Sequence, residues 1–76
     1  MRIHVKTVGT LKDLEARTRV EAMEVPPGSS VAQVMELLEL QDWEIGFVQI
    51  NGQRATKESI LKENDYLTLI APLFGG

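Results

Sequence analysis

The sequence has no cysteine, only four aromatic residues other than histidine (2 Phe, 1 Tyr and 1 Trp), and no long apolar run. Without cysteine, the chain has no disulfide, thiolate nucleophile, thiolate metal site or iron–sulfur cluster. The first residues, Met-Arg-Ile-His-Val, lack a basic segment followed by an apolar one, so we expect neither a signal peptide nor a membrane span. The expected location is the cytoplasm.

Basic residues are in the minority, with 8 Lys and Arg against 11 Asp and Glu and a net charge of -3. Because phosphate binding relies on clustered cations, this balance argues against a nucleic-acid partner. The 76 residues, 43% of them hydrophobic, are enough for one small domain. We expect that domain to span residues 1–71 and to be followed by a flexible Gly-Gly tail, residues 72–76.

Alternation of apolar and polar residues predicts a first strand over residues 1–8 and a last strand over residues 66–71. A strand over residues 19–25 alternates imperfectly, which leaves two possibilities open, a bulge or two partly covered faces. In the connection before that strand, Leu11 and Leu14 are expected to point inward.

Ser30 followed three residues later by Gln33 is a capping-box pattern, and the apolar periodicity after it predicts one helix over residues 31–40. If the first and last strands are parallel neighbours, a right-handed crossover packs this helix on the face formed by Ile3, Val5, Leu67 and Leu69. The other sheet face would stay open to solvent. The predicted fold is therefore α+β, with a mixed sheet of four to five strands and one main helix packed on one face.

Asn51-Gly52 between residues 47–50 and residues 53–55 predicts a hairpin with a type I′ turn. The side chains expected to complete the core beyond the strands and the helix are Ile60, Leu61 and Trp43.

The sequence finishes with Ala71-Pro72-Leu73-Phe74-Gly75-Gly76. Pro72 ends the strand, and five residues from Pro72 onward could extend about 17 Å from the sheet. Gly75 and Gly76 have no side chains, so they could enter a narrow channel and present the α-carboxylate at its far end. That carboxylate is anionic and a poor electrophile at neutral pH, so it needs outside activation, for which adenylation by ATP is suited. The alternative is a frayed terminus whose glycines have no role.

Other polar residues give no strong indication of a site. His4 has no acidic residue at ligand spacing, so we expect a solvated or partner-facing side chain rather than a metal ligand. Helical spacing places Glu36 and Glu39 on an exposed face, which favours a solvated surface over a metal cluster with Asp42 and Glu44. No metal site is therefore expected.

The sequence resembles the prokaryotic sulfur-carrier family, whose fold is the ubiquitin-like β-grasp. The features that carry the resemblance are Val48-Gln49-Ile50-Asn51-Gly52, Leu61-Lys62-Glu63-Asn64-Asp65, the alternating last strand and Gly75-Gly76. The family comprises the small subunit of molybdopterin synthase (MoaD-type) and the thiamine-pathway carrier (ThiS-type). The long first connection and the run Pro26-Pro27-Gly28-Ser29-Ser30-Val31 are more similar to the molybdopterin branch.

The resemblance implies a carrier that is not an enzyme and has neither catalytic residues nor a bound cofactor of its own. An E1-like adenylyltransferase would use ATP to convert the Gly76 carboxylate to an acyl-adenylate, and a sulfur donor protein would supply the sulfur of a thiocarboxylate. In the molybdopterin branch, the tail of Pro72, Leu73, Phe74, Gly75 and Gly76 would enter a larger synthase subunit and donate sulfur to a pterin precursor.

Two other functions stay open on the sequence. One is a thiamine-pathway or other sulfur carrier. The second is a ubiquitin-like protein modifier, in which the same tail forms an isopeptide bond to a lysine, or a binding module that forms no covalent bond. The sequence alone does not separate these.

Strand parity also predicts a partner surface on the uncovered face of the sheet. The side chains predicted there are His4, Phe47, Tyr66, Thr68 and Ile70. Phe47, Tyr66 and Ile70 would form an exposed apolar patch, continued along the tail by Leu73 and Phe74, and such patches often mark binding sites. Partner enzymes would dock on this face and direct the two terminal glycines into their active sites.

Overall fold

The computed structural model of the protein describes residues 1–9 and 20–72. The predictions made for Leu11, Leu14 and the tail residues Leu73, Phe74, Gly75 and Gly76 fall outside the described residues. In chain order, the elements are β1 (Arg2–Val8), β2 (Val20–Glu24), α1 (Val31–Leu37), a 3₁₀ turn (Asp42–Glu44), β3 (Phe47–Ile50), β4 (Gln53–Ala55) and β5 (Tyr66–Ile70).

The five strands form one mixed sheet in the order β2-β1-β5-β3-β4. β1 and β5 are parallel neighbours, and the remaining pairs are antiparallel. The predicted parallel pairing of the first and last strands is therefore confirmed, as is the α+β class. Among the residues that the structure describes, no helix has the length and hydropathy needed to cross a membrane.

The core lies between α1 and one face of the sheet, which we call the core face. Ile3, Val5, Leu67 and Leu69 have 5% exposure or less, as the alternation predicted. They form one cluster with three buried residues of α1, namely Val31, Val34 and Met35. Successive strand residues point to opposite sides. The neighbours of these four residues along β1 and β5 therefore lie on the other face of the sheet.

β2 pairs with β1 in a regular ladder, so the bulge that the sequence left open is absent from the described strand pair. Met23 lies opposite Ile3 on the core side, and Ala22 lies opposite His4 on the other side. Ala22 is exposed there. The alternation is imperfect because a small apolar residue occupies a solvent-facing position, which costs little.

The N-terminus of α1 has the predicted capping box. The Gln33 N–H donates to Ser30 Oγ at 3.2 Å, and the Ser30 N–H donates to Gln33 Oε1 at 2.8 Å. These two bonds satisfy backbone N–H groups that have no hydrogen-bond acceptor within the helix.

The helix ends at Leu37, so the predicted extension to Leu40 is wrong. Glu39 has a φ of 60°, and the Leu40 N–H donates to the Met35 carbonyl at 2.9 Å, which is the 6→1 bond of a Schellman motif. Leu40 is nevertheless buried. The apolar periodicity therefore continues past the end of the helical backbone, which is why the sequence predicted a longer helix.

The hairpin was predicted correctly, because Asn51 and Gly52 both have positive φ, 54° and 80°, as a type I′ turn requires. Leu61 is buried, but Ile60 is 58% exposed, contrary to the prediction. Ile60 forms a β-bridge with Ser30, and adjacent residues in an extended segment point in opposite directions, so only one of the pair can enter the core.

Trp43 does not cover the end of the core, as the sequence had suggested, because its side chain is 63% exposed. Ile45, two residues further along, is 2% exposed and belongs to the core cluster. The 3₁₀ turn that carries Trp43 is held by Lys57, whose Nζ donates to the Asp42 carbonyl at 2.9 Å and to Asp42 Oδ1 at 2.8 Å.

Candidate functional site

The sheet face opposite α1, which we call the open face, carries all of the partner-surface residues predicted within the domain. Strand pairing arranges its side chains in three rows across the sheet. We call these the apolar row (Val8, Ile70 and Phe47), the polar row (Lys6, Thr68, Gln49 and Arg54) and the stacked pair (His4 and Tyr66).

The apolar row lies at the end of the sheet where the tail begins. Val8 pairs with Ile70, and Ile70 pairs with Phe47. Phe47 is 49% exposed, whereas Val8 and Ile70 are partly buried. The Ala71 N–H donates to the Val8 carbonyl at 2.8 Å, so the chain passes beside this row just before Pro72.

The polar row crosses the middle of the open face and carries a cation at each end. Lys6 lies on β1, and Arg54 lies on the exposed edge strand β4. Within residues 1–9 and 20–72, neither cation has an ion-pair partner, whereas Arg2 pairs with Glu24 at 3.3 Å. The polar row therefore presents two positive charges that are available to a partner.

The stacked pair lies at the opposite end of the open face. The rings of His4 and Tyr66 are 6.0 Å apart between centroids, with an interplanar angle of 24°. Tyr66 is four residues from Ile70, which is about 13 Å along a strand. Phe47, Tyr66 and Ile70 share one face as predicted, but the polar row divides them, so they do not form the single continuous patch expected from the sequence.

Pro72 is the last described residue of the tail, and it packs against Gly46. A Cβ atom added to Gly46 would lie 2.8 Å from the Cα and the Cβ of Pro72. Gly46 was not predicted from the sequence, since no local pattern links it to a residue so distant along the chain. Val8 was also missed, although the alternation of β1 places it on the same face as His4 and Lys6.

No group of three or more His, Asp or Glu residues suited to a metal ion occurs in the described segments. Glu36, Glu39 and Asp42 are exposed to solvent.

A mixed five-stranded sheet that packs on one helix is the architecture of the ubiquitin-like β-grasp fold. No family model matches this sequence, and no curated protein does either. Solved structures do match over nearly the whole chain.

SAMP1 from Haloferax volcanii matches with a TM-score of 0.74 and 20% identity, over 100% of both chains. A Pyrococcus furiosus protein, provisionally assigned as molybdopterin converting factor subunit 1, matches with a TM-score of 0.73 and 18% identity, over 96% of this chain and 99% of its own. A ubiquitin-like protein from Caldiarchaeum subterraneum matches with a TM-score of 0.58 and 15% identity, over 99% of this chain and 100% of its own. These matches show that the chain has the ubiquitin-like β-grasp fold.

Proposed function

We propose that the protein is a sulfur carrier whose Gly76 carboxylate is adenylated and then converted to a thiocarboxylate. The observation that carries this proposal is the position of the apolar row, which lies directly beside the start of the tail on the sheet face opposite α1, where no other described helix or strand packs. The length of the chain keeps the glycines within about 17 Å of Pro72. A partner bound to the apolar row would therefore have the glycines within reach of its own active site.

Two displacement steps convert the carboxylate. First, a carboxylate oxygen of Gly76 attacks the α-phosphorus of ATP, pyrophosphate leaves, and an acyl-adenylate forms. Second, a donor at the oxidation level of sulfide attacks the acyl carbon, a C–S bond forms, and AMP leaves with its oxygen. The E1-like partner supplies the catalytic groups and ATP, a sulfur donor protein supplies the sulfur, and Gly75 leaves the approach free of a side chain.

The partner surface that fits the open face is apolar and bordered by carboxylates. Phe47 and Ile70 offer apolar contact area, and Lys6 and Arg54 offer positive charge beside it. The side of the protein that carries α1 is acidic, with Glu36 and Glu39 exposed. An acidic partner surface would therefore be repelled from that side, and this repulsion would favour docking through the open face.

For the destination of the sulfur, we propose molybdopterin biosynthesis. The support comes from the structural similarity to the Pyrococcus furiosus protein, which is itself assigned to a molybdopterin converting factor. In that role, the tail would deliver its thiocarboxylate to the large subunit of molybdopterin synthase.

A protein modifier is the second candidate, and the similarity to SAMP1, a small archaeal modifier protein, favours it. The acyl-adenylate would be the same. In this case the acyl carbon would finally be bonded to a lysine amine rather than to sulfur, so that AMP leaves and an isopeptide bond forms. Both candidates therefore require activation of Gly76 and docking of the same face.

The test is to incubate the protein with the E1-like adenylyltransferase of the same organism, ATP and sodium sulfide, and to measure its intact mass. We expect the mass to rise by the difference between sulfur and oxygen, and only when ATP is present. Deletion of Gly76 should abolish the increase. Gly75→Val should block it while the protein stays folded by circular dichroism.

An unchanged mass with the complete mixture would contradict the proposal, and so would an undiminished increase after deletion of Gly76. Lysine-linked adducts to other proteins, formed in an extract that contains ATP, would favour the modifier. Production of molybdopterin from a pterin precursor, after addition of the large synthase subunit, would support the proposed destination.

A further inference from the structure

Glycine is required at position 46 by steric constraints rather than by backbone conformation. Its φ lies outside the positive region that Gly9, Gly28 and Gly52 occupy, so its backbone suits any residue. A Cβ atom at Gly46 would nevertheless lie 2.8 Å from Pro72 Cα and 3.1 Å from Pro72 N. Carbon atoms that are not bonded prefer separations of about 3.5–4.0 Å, so with any larger residue either Pro72 or the backbone of residue 46 must shift.

The chain is held on both sides where it leaves the sheet. The Gly46 N–H donates to the Ile70 carbonyl at 2.8 Å, and on the other side the Ala71 N–H donates to the Val8 carbonyl at 2.8 Å. A Cβ atom at Gly9 would lie 3.4 Å from the Cβ of Ala71. Pro72 follows with its φ fixed by its ring, and its Cα and Cβ lie directly against the backbone of Gly46.

We propose that Gly46 is a positioning residue that sets the direction in which the tail leaves the domain. This inference rests on the proposed function, because direction matters only if a partner on the open face must receive Gly76. Reactions between oriented groups are sensitive to displacements of about 1 Å, which can change rates by about a hundredfold. A shift of Pro72 moves the point from which residues 73–76 start.

The kinetic test compares Gly46→Ala with Gly52→Ala in adenylation by the E1-like enzyme. Gly52 lies at the other end of β3, where its φ of 80° makes alanine strained but no atom lies within 4 Å of the added Cβ. Both variants should lose stability, but only Gly46→Ala should lose kcat, by about ten- to a hundredfold. The KM for the carrier should stay close to that of the wild type if Pro72, and not Phe47, takes up the shift; a raised KM with an unchanged kcat would overturn the inference.

A double variant tests whether the effect passes through Pro72. Pro72→Gly removes the Cβ and the fixed φ, so the further loss of kcat caused by Gly46→Ala should be smaller in that background than in the wild type. A purely structural role for Gly46 would give equal losses in the two backgrounds.

An amide NMR spectrum supplies a readout that needs no activity. Gly46→Ala should shift the amide resonances of Leu73 and Phe74, whereas Gly52→Ala should leave them unchanged. If the wild type is not adenylated at all, the proposed function fails, and the NMR comparison still decides the positioning role. Unchanged Leu73 and Phe74 resonances, or an unchanged kcat for Gly46→Ala with an active wild type, would overturn the inference.

Discussion

The two faces of the sheet are built from alternate residues of the same strands, yet they differ in almost every physical property. Along β5, Leu67 and Leu69 have no exposed surface, whereas Tyr66 is 39% exposed. On the core face, the central strands contribute apolar residues that pack on α1. On the open face, the side chains form an apolar row, a polar row and a stacked pair. If the open face is the partner surface that we propose, residues for folding and residues for binding alternate along each strand, and single substitutions should separate the two.

The largest effect is expected on the core face, where Leu67→Ala should lower the free energy of unfolding by about 2–5 kcal/mol. Leu67 lies on a central strand and is fully buried, so alanine would leave a cavity. Proteins of this size have about 4–11 kcal/mol of stability in total, so the variant would lose a large fraction of it. Urea unfolding followed by circular dichroism measures the change.

The control for that variant is its neighbour, Thr68→Ala, on the open face. Thr68 is only partly buried in the polar row, so its loss should change stability by about 0.5 kcal/mol or less. Similar losses for the two variants would contradict the division of the sheet into a core face and an open face.

The smallest effect is expected at the end of α1, where Glu39→Gly should raise stability by about 0.5 kcal/mol. Glu39 has a φ of 60°, which glycine adopts without strain, although glycine also has more conformational freedom to lose on folding. Since α1 packs on the core face, affinity for a partner on the open face should not change. Thermal unfolding gives the first quantity and titration the second, and a lower melting temperature would show that the glutamate side chain stabilises this turn.

The parts of the fold that depend on a few adjacent residues were predictable from the sequence. The capping box between Ser30 and Gln33 and the turn at Asn51 and Gly52 each form within a span of four residues, and the structure contains both. Strand alternation assigned the core face because burial on one side leaves only one register for the apolar residues.

The parts that depend on distant contacts were not predictable. The choice between Ile60 and Leu61 is made by a bridge to Ser30, and of the two apolar residues Trp43 and Ile45 it is Ile45 that enters the core. The contact between Gly46 and Pro72 joins residues at the start of β3 and after the end of β5. The division of the open face into rows likewise required the strand order, which alternation within one strand does not specify.

The same substitution, a large apolar residue to aspartate, is expected to have different effects on the open face and on the side of the protein that carries α1. Phe47 and Ile60 are both large, apolar and about half exposed, at 49% and 58%. Phe47 lies in the apolar row beside the tail, whereas Ile60 lies near the N-terminus of α1 through its bridge with Ser30. Aspartate at either position should leave the fold intact, because neither side chain belongs to the buried core.

The most direct test of the account is therefore a calorimetric titration of the E1-like adenylyltransferase with Phe47→Asp, Ile60→Asp and the wild type. We predict that Phe47→Asp weakens the affinity by about tenfold or more, since it would place a charge in the apolar row that we propose the enzyme covers. Ile60→Asp should bind like the wild type. Equal affinities for Phe47→Asp and the wild type, with both proteins folded, would contradict the claim that the open face receives the activating enzyme.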